Sequence, residues 1–408
     1  MSAPWPTFSS AGWVVAATAI ALAPVGFFAP VASTPVLIAG GTVLALGAFR
    51  SRRWPRAGTA AVVLVAPFLA WAALSAVWAV ESQLAVNKIF ALAAVALLAW
   101  LWFDAGSQLD ANTSGAIGRF VAIGVGIAIV LFLIEAATGA VIHRIMFYQR
   151  HGATVAMPLE ILNRPLTLLA LLLWPALLWL ATRRHRALAV LFVVGTVVAL
   201  AASQAGSVRL ALVAGAAAAA LAFMSPRRVG TAIGVFAAAL ILAAPLLVLY
   251  GEGSTRVPEL FPTLPQSALH RLEMWEFVAG RIEERPLLGY GLDGARVLPG
   301  AAEPYRLGGG QVMGLHPHNA PLQVWLELGL PGAVLAALGL LVTFRRIGAA
   351  ARSRLSAAAG AGAGVTALTV ASLSFGIWQT WWLASLVLAA LLTAVVARGV
   401  ASSPQPVR

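Results

Sequence analysis

Apolar residues run along this chain in long blocks separated by short polar stretches. The blocks fall at approximately 13–30, 35–49, 60–80, 85–103, 115–138, 163–181, 187–203, 208–224, 229–250, 318–344, 355–376 and 379–397. A helix needs about 20 predominantly apolar residues to cross a hydrocarbon layer, and runs of 18 or more recur along the whole length. The pattern predicts an all-α polytopic membrane protein with about 12 transmembrane helices. The second block is short and Gly-rich, and is read as a re-entrant or tilted element. The first lacks a charged leader and cleavage site, so it is expected to stay in the mature protein. One long polar stretch breaks the series. The expected organisation is therefore residues 1–250 carrying helices 1–9, a mainly helical loop subdomain over 251–317, and residues 318–408 carrying helices 10–12.

Composition supports this picture. Of 408 residues 61% are hydrophobic and only 10% charged, whereas a soluble domain carries roughly a quarter charged residues. There are no cysteines, which excludes disulfides and thiolate metal sites. Fourteen tryptophans suit interfacial belts. The net charge of +13 does not indicate a nucleic-acid partner, because the basic residues lie in short loops between spans rather than on one soluble face. Nearly all of them are arginine, Lys88 being the lone lysine.

Charge then sets an orientation. The basic clusters are Arg50/Arg52/Arg53/Arg56, Arg183/Arg184/Arg186, Arg227/Arg228 and Arg345/Arg346/Arg352/Arg354, with Arg398 and Arg408 at the end. With twelve spans they share one side, which the positive-inside rule makes cytoplasmic. Both termini are then cytoplasmic, and the long loop is periplasmic. That loop holds eight of the fourteen acidic residues, Glu252 and Asp293 among them.

The outer side carries residues that this rule does not predict. Arg144, Arg150, Arg164 and Arg209 lie in or beside outer loops or at outer helix ends, and Arg256, Arg271, Arg281, Arg285, Arg296 and Arg306 lie in the long loop. His143, His151, His270, His316 and His318 share this face, leaving His185 alone on the other. Arg281 and Arg285 stand beside Glu283 and Glu284 and read as a solvated helix face. Arg209 sits within a turn of an apolar span, where it either snorkels outward or binds an anion; Arg164 leans to the anchoring role. Of the carboxylates, Glu135 lies within a span, while Glu81 and Glu327 read as interfacial.

Within the loop, HRLEMWEFVAGRIEERPLLGYG predicts a helix ended by Pro286 and followed by a glycine-rich turn. Trp275 on its apolar stripe is read first as packing and second as a sugar-stacking platform. In His316-Pro317-His318-Asn319, Asn319 is a good N-cap and Pro321 fits the first helical turn. His318 precedes a helix N-terminus, whose dipole favours anions and disfavours imidazolium. A neutral imidazole there is suited to act as a general base. Capping alone is the competing role, and a His316/His318 metal site lacks a nearby third ligand in sequence.

Together these residues resemble the O-antigen ligase and polymerase superfamily of bacterial inner-membrane, lipid-linked glycan transferases. The resemblance is carried by an arginine at an outer span end, an R-x-x-x-W helix with PLLGYG, and HPHN-x-x-L-Q-x-W-L-E-L-G-L-P-G entering the next span. It implies an undecaprenyl-diphosphate-linked glycan donor, and lipid A-core or another glycan as acceptor at the periplasmic face. It also implies inversion at the anomeric carbon and no cofactor, nucleotide sugar or required metal. By the same resemblance His318, Arg271 and Arg209 are the catalytic set, the arginines holding the diphosphate. Arg164, His316, Asn319, Trp275 and Arg296 complete the candidate substrate-binding set. The family often shows Ser-Arg adjacent at the span end, whereas here Ser203 and Ser207 precede Arg209 at a distance. A polymerase extending lipid-linked repeats is the nearest alternative; a lipid or sugar transporter is the alternative of another class.

Overall fold

The computed structural model describes residues 8–56, 59–152, 157, 159–251, 253–306 and 310–400. Glu252, Arg408 and both chain ends lie outside the described residues. Twelve helices follow the apolar blocks: α1 (Ser10–Phe28), α2 (Ser33–Arg50), α3 (Thr59–Leu74), α4 (Ser82–Ser107), α5 (Ala111–Thr138), α7 (Asn163–Thr182), α8 (Arg186–Ala201), α9 (Gly206–Met224), α10 (Pro226–Leu249), α13 (Ala320–Ala349), α14 (Arg354–Leu373) and α15 (Thr380–Val400). Three more are short or polar: α6 (Val141–His151), α11 (Gly253–Leu260) and α12 (Gln266–Glu284). Among the described residues ten helices are long and apolar enough to cross a bilayer; α3 and α8 are apolar but shorter. The second block, expected to be re-entrant or tilted, is one of the ten: with the 3-10 turn from Pro30, α2 makes a 21-residue apolar unit. The protein is an all-α polytopic membrane protein.

Contacts between helix ends place every described basic cluster at one end of the bundle. Arg56 N–H donates to Asp104 Oδ1 (3.0 Å), and Arg398 Nη2 donates to Gly106 O (2.6 Å). Trp179 Nε1 donates to Gly115 O (3.0 Å). At the same end Gly348 of α13 packs against the Pro226 carbonyl of α10, closely enough that a Cβ would lie 2.3 Å from it. The opposite end gathers Phe27, Ser33, Ser75, Lys88, His143, Arg164, Ser207 and the described residues from α11 to Asn319.

The centre of the bundle is α7, with nearly every residue from Pro165 to Leu180 buried against α1, α5, α14 and α15. In lipid, helices associate through close packing and hydrogen bonds rather than by a hydrophobic drive, so small residues sit at the crossings. Gly124 shows the rule: a Cβ there would stand 2.4 Å from Ile20 O of α1.

The structure corrects two sequence expectations in α13. The tenth span is not a single rod, because Gly329 has non-helical φ 61°, ψ −163° and breaks it. The loop Pro286–Gly291 crosses the break and takes up its backbone groups. Leu330 N–H donates to Pro286 O (2.9 Å), Tyr290 N–H to Leu326 O (2.8 Å) and Gly291 N–H to Glu327 O (2.9 Å). Glu327, expected at the interface, is completely buried (0% exposed). In the long loop, helical structure is concentrated in α11 and α12. From Arg285 to Asn319 the described backbone is irregular apart from a 3-10 turn at Gly294–Val297 and a bridge between Pro304 and Gln311.

Candidate active site

The short half of α13 starts at an Asn319 cap, whose Oδ1 accepts Leu322 N–H (3.0 Å). That bond commits one side-chain atom of Asn319 to structure. Immediately before it His318 adopts φ 53°, a left-handed conformation in which histidine is one of the more tolerated residues. The twist turns its ring onto the loop between α14 and α15, residues 374–379. His318 Nδ1 lies against the carbonyl of Ser374. A carbonyl only accepts, so Nδ1 carries the proton and Nε2 of the neutral ring keeps its lone pair. Ser374 is itself held, since its Oγ donates to Ser207 Oγ (2.6 Å) in the first turn of α9.

His316 has a different role. Its ring meets that of His318 edge-on at 4.3 Å. Both its nitrogens face N–H groups, His318 N at 3.3 Å and Gln379 Nε2 at 3.1 Å. The Gln379 amide cannot turn around without losing the Trp381 Nε1–H bond to its oxygen (2.9 Å). An imidazolium would put protons against protons there, so the ring is neutral, and only one of the two contacts is a hydrogen bond. Burial pushes His316 down to about 3, with His318, Arg296 and Arg164 adding to the shift. His316 thus packs and orients, with Gly376 so close that a Cβ would sit 2.7 Å from its ring.

Trp275 on α12 donates from Nε1 to Pro317 O (2.9 Å), which pins the His-Pro-His turn to the helix. His270, one turn earlier, donates to the carbonyls of Gln311 and Val312 (3.0 and 3.1 Å) and stacks on Tyr305. Arg271 on α12 acts on His318 through its charge. It is half-buried and has no carboxylate partner among the described residues; burial lowers it below the ordinary guanidinium value. A half-buried cation without an anion is costly unless an anion arrives.

The other arginines divide. Arg164 stacks over the Trp381 ring (5.4 Å) and Arg296 pairs with Asp293 (2.9 Å); both fields reach His316. Arg209 is exposed and turns its Nη2 to Ser203 O (3.0 Å), without contact to either histidine among the described residues; Ser207, two residues earlier on α9, is the one that meets Ser374. Arg281 pairs with Glu284 (2.8 Å) as its spacing suggested, while Arg285 lies over the Tyr290 ring. His143 leaves the histidine group altogether: it is buried against Glu135 (3.0 Å) and Phe27 O (3.0 Å), pinning α6 to the bundle. That pair also accounts for the one carboxylate read inside a span.

Sequence reasoning missed the 374–379 loop. Its signal was the interruption SFGIWQ between two apolar blocks. It also missed that Lys88 of α4 reaches Asp293 (3.5 Å). No spacing could have revealed that, since the two residues are brought together only by folding. Among the described residues no three His, Asp or Glu side chains converge as a metal site.

The arrangement suits proton abstraction beside an anion. Burial is the main cause that lowers His318 below the ordinary histidine value; the Ser374 bond raises it, and Arg271 and His270 lower it further. A base works deprotonated, so a lowered value extends its working range downward. The acid limb of a kcat/KM–pH profile is expected below pH ~6.5, the free-histidine value. An acid limb above that value in the wild type would contradict His318 as the base.

Comparisons with known proteins bear on the family of the chain. A family model described as O-Antigen ligase matches residues 191–337, a stretch that includes Arg209, Arg271, His318 and Glu327. A Rickettsia prowazekii protein named as a polysaccharide ligase is 28% identical over 326 residues, 78% of this chain and 76% of that protein. A Rickettsia conorii protein of the same description is 27% identical over 323 residues, 78% of this chain and 75% of the relative. One from Rickettsia typhi is 35% identical over 124 residues, 29% of this chain and 30% of the relative.

Proposed function

We propose that the chain, matched over residues 191–337 by a family model described as O-Antigen ligase, is a member of that family and moves a glycan from undecaprenyl diphosphate to lipid A-core or a related acceptor. The reading places the reaction at the periplasmic face of the bacterial inner membrane, the end of the bundle opposite the arginine clusters. The observation that carries it is the pinned His318: Nδ1–H on the Ser374 carbonyl, Nε2 left as acceptor, and the charge of Arg271, which has no carboxylate partner among the described residues, acting on the ring. The names carried by the similar Rickettsia proteins favour ligation over polymerisation.

In this mechanism Nε2 of His318 takes the proton of the acceptor hydroxyl as its oxygen attacks the anomeric carbon. The bond from that carbon to the diphosphate oxygen breaks, and the electron pair leaves with undecaprenyl diphosphate. Displacement from the opposite face inverts the anomeric centre. Negative charge grows on the leaving diphosphate, and Arg271 and Arg209 stabilise it through paired N–H donors. Arg164 and Arg296 extend the cationic rim.

The test is direct. Purified protein in detergent receives an undecaprenyl-diphosphate oligosaccharide with and without lipid A-core. Glycan appearing on lipid A supports the ligase; longer lipid-linked chains with donor alone would replace it by a polymerase. Arg271→Ala is expected to weaken donor binding by about 1.5–3 kcal/mol, roughly ten- to hundredfold in Kd, measured by donor titration. Arg271→Lys is expected to recover only part of this, because an ammonium lacks the two-pronged geometry. Unchanged binding in Arg271→Ala would remove it from the site.

A further inference from the structure

The 374–379 loop meets a ring nitrogen of each histidine, and that loop is itself fastened at its middle. Ser374 O holds His318 and Gln379 holds His316. Between them Ile377 N–H donates to Gln323 Oε1 (3.0 Å), and Trp378 Nε1–H donates to Glu327 Oε2 (2.7 Å). Gln323 completes the link by donating from Nε2 to Glu327 Oε1 (2.9 Å). Gln323 and Glu327 lie one turn apart on the half-helix that His318 precedes, and they are 2% and 0% exposed. Glu327 Oε2 also accepts the backbone N–H of Asp293. The Asp293 carboxylate in turn holds Arg296 (2.9 Å) and Lys88 (3.5 Å).

We propose that Glu327 is a positioning residue of the transfer reaction, a buried acceptor that registers the His318 half-helix against both the loop orienting the histidines and the turn orienting Arg296. This rests on the transfer reaction proposed above. Glu327 touches no candidate substrate group, and it acts through Trp378, Gln323 and Asp293. Three N–H donors converge on its two oxygens, one from its own helix and two from separate loops. Such a network holds only if every member is satisfied.

The hydrogen-bond inventory makes the proposal testable. In Glu327→Gln one of the two acceptor positions becomes an NH2 that meets another N–H. Turning the Gln323 amide to relieve this only moves the conflict to Ile377 N–H. The exchange Gln323→Glu/Glu327→Gln, in contrast, satisfies every partner. Glu at 323 accepts Ile377 N–H and the new Gln NH2, and the Gln oxygen at 327 accepts Asp293 N–H and Trp378 Nε1–H.

The experiment compares wild type, Glu327→Gln, the exchanged double variant and Trp378→Phe, each as full-length protein in detergent. It reads kcat, KM, the pH profile and hydrogen exchange of residues 291–297 and 374–379. Misplacement by about 1 Å can cost on the order of 100-fold in rate. Glu327→Gln is therefore expected to lose about 10- to 100-fold in kcat with little change in donor KM. Its acid limb should move to lower pH as the Ser374 bond that raises His318 loosens. Both segments should exchange faster, and the double variant should recover rate and protection together. If Glu327→Gln does not fold, Trp378→Phe and the double variant still decide the matter: the first should slow kcat severalfold, the second should not. Wild-type kcat in Glu327→Gln, or a folded double variant as slow as the single one, would overturn the proposal. A wild type that transfers no glycan would strike the functional reading instead. In that event the exchange pattern alone judges Glu327, with unaltered protection in Glu327→Gln overturning it.

Discussion

His318→Ala is expected to lower transfer by about 10²- to 10⁴-fold, the range a positioned general base contributes, while donor binding stays near wild type. The separation follows from the geometry. The diphosphate contacts assigned to Arg271 and Arg209 do not involve the imidazole, whereas the acceptor proton is assigned to the Nε2 lone pair of His318. His316 cannot take over, since N–H groups face both its nitrogens and burial holds it at about 3. His316→Ala is accordingly expected to cost less, through lost orientation of its neighbour. Single-turnover rates with bound donor, alongside donor titration, separate the two effects. Wild-type turnover in His318→Ala would remove the base from the mechanism.

The second large effect falls on folding. Gly329→Ala is expected to destabilise the protein severely. At φ 61° and ψ −163° the backbone lies in a region reserved for glycine, which costs roughly 1–3 kcal/mol for any other residue. The added Cβ would also stand 2.2 Å from Leu287 O, a backbone atom that cannot swing aside. Relief would have to move the Pro286–Gly291 loop and with it the hydrogen bonds closing the helix break. Gly339 on the same helix provides the control, because a Cβ there meets nothing within 4 Å. Gly339→Ala is expected to be neutral or slightly stabilising, since alanine is the better helix former. Thermal unfolding in one detergent compares the two, and equal midpoints would contradict the strain argument.

Glu327 marks the boundary between what could be read in the chain and what could not. As a letter in E-L-G-L-P-G it reads as interfacial. Its burial depends on the Pro286–Gly291 loop and the 374–379 loop closing over it, and no local pattern encodes that. The same holds for Gly329, whose φ is set by a loop about forty residues earlier in the chain. Arg281 was readable because its partner, Glu284, lies three residues away. Lys88 and Asp293, more than two hundred residues apart, were not.

The sequence by itself determined the membrane class, the positions of the apolar helices, the placing of the basic clusters at one end and the His-Pro-His-Asn turn at a helix start. These are local or additive properties: hydrophobic length, charge count and capping chemistry act over a few residues at a time. Only the tertiary structure decided how each histidine ring is held, that Arg271 meets no carboxylate among the described residues, and which carboxylate joins α13 to the loops around it. Those depend on single hydrogen bonds between segments far apart in the chain, whose donors and acceptors meet only when the bundle is packed.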